Sequence, residues 1–130
     1  MISYEIIIQV EKLEKKLYTI TDNGRKALQK WLEKDDPLEQ TPKDIFKLKV
    51  YFSDEMDTKT LLKQFNSSKS KHLEKLEYLE IYMEELSKDK NISNSSSHGF
   101  GDFIVLKGAI MREKTYIEWI DDCISMITTK

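Results

Sequence analysis

Apolar and polar residues alternate over the first part of the chain. Apolar residues occupy every second position from Ile2 to Val10, with one interruption, and a second alternating run covers residues 17–21. The charged stretch 11–16 separates the two runs. Alternation with a period of two is typical of strands with one buried face. The pattern predicts a β-hairpin over residues 1–21, which needs support from other elements because two strands alone are barely stable.

The spacing of apolar residues becomes helical after the predicted hairpin. Thr21 or Asp22 caps a predicted helix that ends before Pro37, because the residue in front of a proline resists the helical conformation. The pair Thr41-Pro42 starts a second, short helix, since threonine is a good cap and proline suits the first helical position. We interpret the first helix as a connection to a larger helical domain.

Two long amphipathic helices are predicted over residues 57–89 and 102–127, joined by a linker rich in Ser, Asn and Gly. Their apolar residues recur with the alternating three- and four-residue spacing of a heptad seam. Two such helices most simply form an antiparallel hairpin. Because their apolar faces are wider than one neighbour can cover, we also predict a homodimer. The predicted hairpin and dimer interface consists of Leu62, Phe65, Leu76, Leu79, Met83, Leu86, Phe103, Leu106, Ile110, Ile117, Ile120 and Ile124.

The predicted fold class is therefore mainly α. An N-terminal β-hairpin, residues 1–21, precedes a connecting helix, residues 22–36. A C-terminal helical dimerisation domain follows over residues 37–130 and contains the long antiparallel helix hairpin. The whole is predicted to be dimeric.

Composition narrows the classes of function. The net charge of −2 gives no general attraction to phosphate, so nucleic-acid contacts would need a local basic cluster. The single cysteine, Cys123, fits a reducing compartment, and neither a signal peptide nor a membrane span is apparent, so we predict a cytoplasmic protein without membrane contact. No Ser-His-Asp or Cys-His arrangement is recognisable, so we predict neither an enzyme nor a cofactor.

Several polar and aromatic residues allow two interpretations. His72 and Lys69 lie on a heptad seam, where they could set the helix register; a metal site would need further ligands, and the second histidine, His98, lies in the linker. Trp31, Tyr116 and Trp119 could line a pocket for an aromatic effector, or simply pack in the core. We predict no metal site and retain the effector pocket as a candidate.

Several segments in a fixed order resemble the PadR-like transcriptional regulators. Residues 17–28 resemble the signature in which the second strand of the wing enters the next helix, and Trp31-Leu32 follow at the usual place. Residues 43–52 look like the family's short helix. The last helix carries a similar set of residues: Gly108, Arg112, Tyr116, Glu118 and Trp119. The resemblance is to the branch with a long, virulence-activator-like C-terminal domain and covers nearly the whole chain.

This resemblance implies a winged-helix repressor or activator whose C-terminal helices form the dimer and fix the spacing of two DNA-binding units. Some such regulators bind planar effectors near the dimer interface. The family places its helix-turn-helix before the wing, whereas this chain begins in the first wing strand, so we expect DNA binding only with a complete winged helix. The candidate phosphate contacts are Lys12, Lys15, Lys16, Arg25 and Lys26, unless the hairpin tip is an ordinary solvated turn. The alternative function is a helical adaptor, or a truncated regulator that acts through mixed dimers.

Overall fold

A computed structural model describes residues 21–39 and 43–129, and every regular element in these two stretches is helical. The chain divides into two compact units, Met1–Lys43 and Asp44–Lys130. The predicted domain boundaries, which differ from this division, stay a prediction.

The first unit contains one described helix, α1 (Asp22–Glu33). Thr21 is its N-cap, and the Thr21 hydroxyl accepts a hydrogen bond of 3.2 Å from the backbone N–H of Gly24. This bond satisfies one of the free N–H groups of the first turn. Trp31 on this helix is 65% exposed.

The predicted fold class is wrong in its β part. No strand occurs in the described residues, which contain four α-helices and one short 3-10 helix. Residues 1–20 of the predicted hairpin lie outside the described residues. Thr21, assigned to the end of the second strand, has an extended backbone but serves as a helix cap. All regular secondary structure in the described residues is therefore helical.

The second unit begins with two short elements. Asp44 caps α2 (Ile45–Tyr51), since its Oδ1 accepts a hydrogen bond of 3.1 Å from the backbone N–H of Lys47. A 3-10 helix (Ser53–Glu55) follows directly. The short α2 therefore depends on its cap and on packing against the long helices, because isolated helices of this length are unstable in water.

Two long helices make up most of the second unit. α3 (Thr58–Leu86) begins at the cap Asp57, and α4 (Phe100–Thr128) begins after Gly99. They run antiparallel, because the middle of α3 at His72 meets Glu113 of α4, whereas Lys69, nearer the start of α3, meets the later residue Asp121 of α4. The predicted limits of both helices agree with these bounds to within three residues at each end.

The turn between the long helices contains one close packing contact as well as several local hydrogen bonds. Ile92 is buried against Gly99, where a Cβ atom would lie 2.6 Å from Ile92 Cδ1. Any larger residue at position 99 would therefore displace Ile92. Glycine at this position leaves room for the end of the Ile92 side chain, and its negative φ is one that other residues also adopt.

The core of the unit lies between α3 and α4. Leu79, which is 0% exposed, packs with Leu106 and Ile110 near the turn. The twelve predicted interface residues are all buried or half-buried within one chain. Six are buried: Phe65, Leu79, Leu106, Ile110, Ile117 and Ile120. Six are half-buried: Leu62, Leu76, Met83, Leu86, Phe103 and Ile124.

Apolar side chains also remain on the outer faces of the long helices. Leu73 and Ile81 of α3 and Ile104 and Met111 of α4 are exposed. The described helices include none that is long and apolar enough to cross a bilayer.

Candidate functional site

An open groove of about 600 Å³ lies between α2 and α4. Lys47 is its lining residue from α2, and the remaining lining residues come from α4: Gly108, Met111, Arg112, Thr115, Tyr116 and Trp119. The α4 residues recur every three or four positions and therefore share one side of the helix. The lining combines two aromatic rings, a thioether and two cationic side chains.

The indole of Trp119 is fixed by an aromatic cluster. Phe46 of α2 and the buried Phe65 of α3 contact Trp119 with ring centroids 6.1 and 5.8 Å away. Phe46 and Phe65 also meet edge to face at 5.1 Å. These contacts join all three helices of the second unit behind the groove, in geometries that favour aromatic pairs.

The two aromatic walls of the groove meet each other. The rings of Tyr116 and Trp119 lie edge to face, with centroids 5.4 Å apart. The Lys47 Nζ atom lies 4.9 Å from the Tyr116 centroid and 5.2 Å from that of Trp119. This cation–π geometry holds a positive charge beside both aromatic faces.

The hydroxyl of Tyr116 is bound to the cap of α2. It donates a hydrogen bond of 2.7 Å to Oδ2 of Asp44. Partial burial would raise the pKa of Asp44, but the bonds from Tyr116 and the Lys47 backbone bring it below the usual value. Burial, followed by the bond to the Asp44 carboxylate and its charge, raises the pKa of Tyr116. Tyr116 is therefore a neutral donor, and Asp44 is an ionised acceptor.

A polar cluster lies behind the Tyr116 ring. The His72 ring stacks on Tyr116 with centroids 4.0 Å apart and an interplanar angle of 21°. His72 Nδ1 donates to Oε2 of Glu113, and Lys75 Nζ lies 2.9 Å from Oε1 of the same carboxylate. Glu113 is only 4% exposed. Burial would raise its pKa, but the bonds from His72 and Lys75 and their charges hold it below the usual value.

The structure brings together part of the predicted effector pocket. Tyr116 and Trp119 both line the groove, whereas Trp31 belongs to the first unit and is exposed on α1. Among the candidate phosphate contacts, Arg25 and Lys26 are exposed on α1. The other three candidates, Lys12, Lys15 and Lys16, lie outside the described residues.

The polar seam residues pair across the helix hairpin. His72 faces Glu113, and Lys69 Nζ lies 2.6 Å from Oδ1 of Asp121. No group of three or more His, Cys, Asp or Glu side chains suited to a metal ion exists in the part of the chain that the structure describes.

The half-buried Cys123 has a raised pKa, because burial and the charge of Asp122 disfavour its thiolate.

Besides Tyr116 and Trp119, the site contains residues that the sequence did not assign to it: Asp44, Lys47, Lys75, Gly108, Met111, Arg112 and Thr115. The sequence places the start of this short helix at Thr41-Pro42, whereas the helix begins at Ile45 after Asp44, which is also a typical helix-cap residue. His72 and Glu113 are each a polar position in an apolar heptad seam, and an antiparallel register brings two such positions together. No local signal places Lys47 over two rings of α4.

This arrangement of side chains is suited to binding a ligand rather than to catalysing a reaction. Two aromatic side chains favour a ligand with an apolar ring, and Lys47 and Arg112 favour a negative group on it. The volume falls within the range of about 300–1,000 Å³ that is usual for small-molecule sites. The lining side chains are thus of the kinds that bind aromatic rings and negative groups.

Comparison with known proteins gives consistent matches. Residues 42–128 match the family described as "Virulence activator alpha C-term". The chain is 36% identical over 126 residues to "Negative transcriptional regulator PadR" of Bacillus subtilis (strain 168), which covers 97% of this chain and 69% of that protein. These relatives are transcriptional regulators and not enzymes.

Solved structures of the Bacillus subtilis protein are similar as well. Its complex with operator DNA gives a TM-score of 0.77 at 33% identity, covering 83% of this chain and 60% of that one. Its complex with p-coumaric acid gives a TM-score of 0.81 at 32% identity, covering 85% of this chain and 63% of that one. The chain thus spans less than two thirds of these solved chains.

Proposed function

This chain belongs to the PadR-like family of transcriptional regulators, and we propose that residues 42–128 form the dimerisation and effector-sensing domain of such a regulator. The observation that carries the proposal is the groove walled by Tyr116 and Trp119 and flanked by Lys47 and Arg112. A solved relative is described in complex with p-coumaric acid, a planar aromatic carboxylic acid that has the chemistry this groove fits.

The proposed ligand mode follows from the groove lining. The aromatic ring of the ligand packs against Trp119 and Tyr116, with the Met111 thioether on the same helix available for a sulfur–aromatic contact. The ligand carboxylate pairs with the guanidinium of Arg112, which has a better geometry for two parallel hydrogen bonds than the Lys47 ammonium.

Dimerisation is the second part of the proposal. The exposed apolar residues Leu73, Ile81, Ile104 and Met111 lie on the outer faces of the long helices. Covering such surface is favourable by about 25 cal/mol per Å² of apolar area. A twofold dimer through these faces would fix the distance between two DNA-binding units, and the effector would act by shifting the arrangement of the subunits.

DNA contact is proposed only for a complete winged helix. The exposed cations Arg25 and Lys26 on α1 would then bind phosphates, which adds affinity but no choice of base sequence. A relative is described in complex with operator DNA. A regulator of this kind acts on DNA in the cytoplasm, and the single cysteine suits that compartment.

Effector binding can be tested by fluorescence. In a Trp31→Phe background, Trp119 is the remaining tryptophan, so titration with p-coumaric acid should change its emission saturably. Arg112→Met should weaken binding about tenfold or more, because it removes a charge-assisted hydrogen bond. Lys114→Met, on the same helix but outside the groove lining, should not. Absence of saturable binding, or equal effects of the two substitutions, would overturn the proposal.

A further inference from the structure

His72 supports the groove from behind without lining it. Its ring lies against Tyr116 at 4.0 Å and nearly parallel, and Tyr116 is a wall of the groove. The sequence pattern explains His72 as a residue that sets helix register. The observed stacking gives His72 a second role. Because the two rings are in contact, the His72 ring limits the positions that the Tyr116 ring can adopt.

The orientation of the His72 ring is itself fixed. Its Nδ1 atom donates to Glu113, and an ionised carboxylate only accepts hydrogen bonds, so that nitrogen carries the proton. The second oxygen of Glu113 is bound by Lys75 at 2.9 Å. Because Glu113 is nearly inaccessible to water, the two bonds are formed in a medium where they are stronger than at the surface.

The cluster sits at the level of the groove because of helix geometry. Glu113 and Tyr116 are three residues apart on α4, and His72 and Lys75 are three residues apart on α3, so each pair shares one helix face. Asp44 holds the hydroxyl end of the Tyr116 side chain, and His72 covers the ring. Tyr116 is thereby restrained at both its ring and its hydroxyl.

The restraint of the Tyr116 side chain in the free protein affects the free energy of ligand binding. Binding to a mobile side chain requires that side chain to lose rotamer freedom, which reduces affinity. A wall held in place avoids that loss. The affinity of the groove should therefore depend on residues that never touch the ligand.

We propose that His72 is a positioning residue for the ligand groove, held by the buried Glu113 and Lys75, and that it sets affinity by fixing the ring of Tyr116. This inference rests on the proposed function, since it concerns the same groove. A positioning role of this kind differs from a purely structural one. The flat ring at position 72, and not stability alone, determines the affinity of the groove for its ligand.

The binding test compares two substitutions at His72 in the full chain, with p-coumaric acid as the probe. His72→Ala should weaken binding about three- to tenfold, in line with the loss of one aromatic contact. His72→Phe keeps a flat ring against Tyr116 and should restore most of the affinity, although it also loses the bond to Glu113. Met83→Ala, which removes a side chain packed on the core near the turn, should lower stability and leave affinity unchanged.

A readout without ligand separates this inference from the proposed function. In the NMR spectrum of the free protein, the ring protons of Tyr116 should shift in His72→Ala and stay close to their original positions in His72→Phe, because a stacked ring shifts its neighbour's resonances. Failure of the unchanged protein to bind p-coumaric acid would refute the proposed effector, while the Tyr116 resonances would still decide whether His72 positions the ring. Unmoved Tyr116 resonances in His72→Ala, or affinities that follow stability in all three variants, would overturn the inference.

Discussion

The Tyr116 hydroxyl donates a hydrogen bond of 2.7 Å to Oδ2 of Asp44, while Oδ1 of the same carboxylate caps α2. One carboxylate thus joins the long helix α4 to the first turn of a seven-residue helix. The consequence for the groove is that Lys47, one turn into α2, is held over the rings of Tyr116 and Trp119.

Tyr116→Phe should loosen α2 without opening the core. Loss of the hydroxyl removes one hydrogen bond to a charged acceptor, so the free energy of unfolding should fall by about 1–2 kcal/mol. Amide exchange at Lys47 and Leu48 should become faster, because the cap of α2 loses its link to α4. Urea unfolding and hydrogen exchange measure the two effects. Tyr51→Phe, on an exposed tyrosine, is the matched control, and equal losses in both variants would contradict this account.

The buried carboxylate Glu113 should make stability depend on pH. Its pKa is held below the ordinary glutamate value of 4.5 in the folded protein, so its ionised form favours folding. That contribution is fully present above the ordinary value and is lost as pH falls through it towards the lower folded pKa. Glu113→Gln should therefore be about 1–3 kcal/mol less stable at neutral pH.

The pH dependence distinguishes this effect from simple loss of packing. Between about pH 5 and pH 3, the unfolding free energy of the unchanged protein should fall more steeply than that of Glu113→Gln. Urea titrations at several pH values give both slopes. Glu118→Gln, an exposed glutamate of the same helix, should keep the steep slope. Parallel curves for Glu113→Gln and the unchanged protein would refute the assignment.

The helical part of the fold could be read from local signals. Thr21, Asp57 and Pro37 mark helix limits through capping and backbone restriction, which act within a few residues. The heptad spacing identified the inward face of both long helices, since that spacing follows directly from helix geometry. The β part of the fold-class prediction is wrong, because the described residues contain no strand and alternation with a period of two does not by itself establish one.

The site was only half predictable, for a physical reason. Tyr116 and Trp119 stand out as large aromatic residues on one helix face, and they do line the groove. Lys47 and Asp44 reach the site only through the packing of α2 against α4, which has no signature in the local sequence. Trp31 was grouped with them by residue type alone, and it belongs to the other unit.

Leu79→Ala should test the core between the long helices. Leu79 is fully enclosed and packs with Leu106 and Ile110, so its truncation leaves a cavity and should cost about 2–5 kcal/mol. Chemical denaturation with circular dichroism detects this loss. The same substitution at the fully exposed Leu38 should change stability by less than about 0.5 kcal/mol. A small effect at Leu79 would mean that the hairpin core is not packed as described.

Ile104→Glu should test the proposed dimer. Ile104 is 45% exposed on α4 even though it is strongly apolar, and the helix hairpin leaves this face uncovered. A carboxylate buried in a dimer interface without a partner is costly, so the substitution should shift the protein towards monomers at micromolar concentration. Sedimentation velocity measures this shift. Ile45→Glu places the same charge on an exposed isoleucine of the short helix α2 and should leave the dimer intact. An unchanged protein that sediments as a monomer, or a dimer indifferent to Ile104→Glu, would remove the outer face of α4 from the interface.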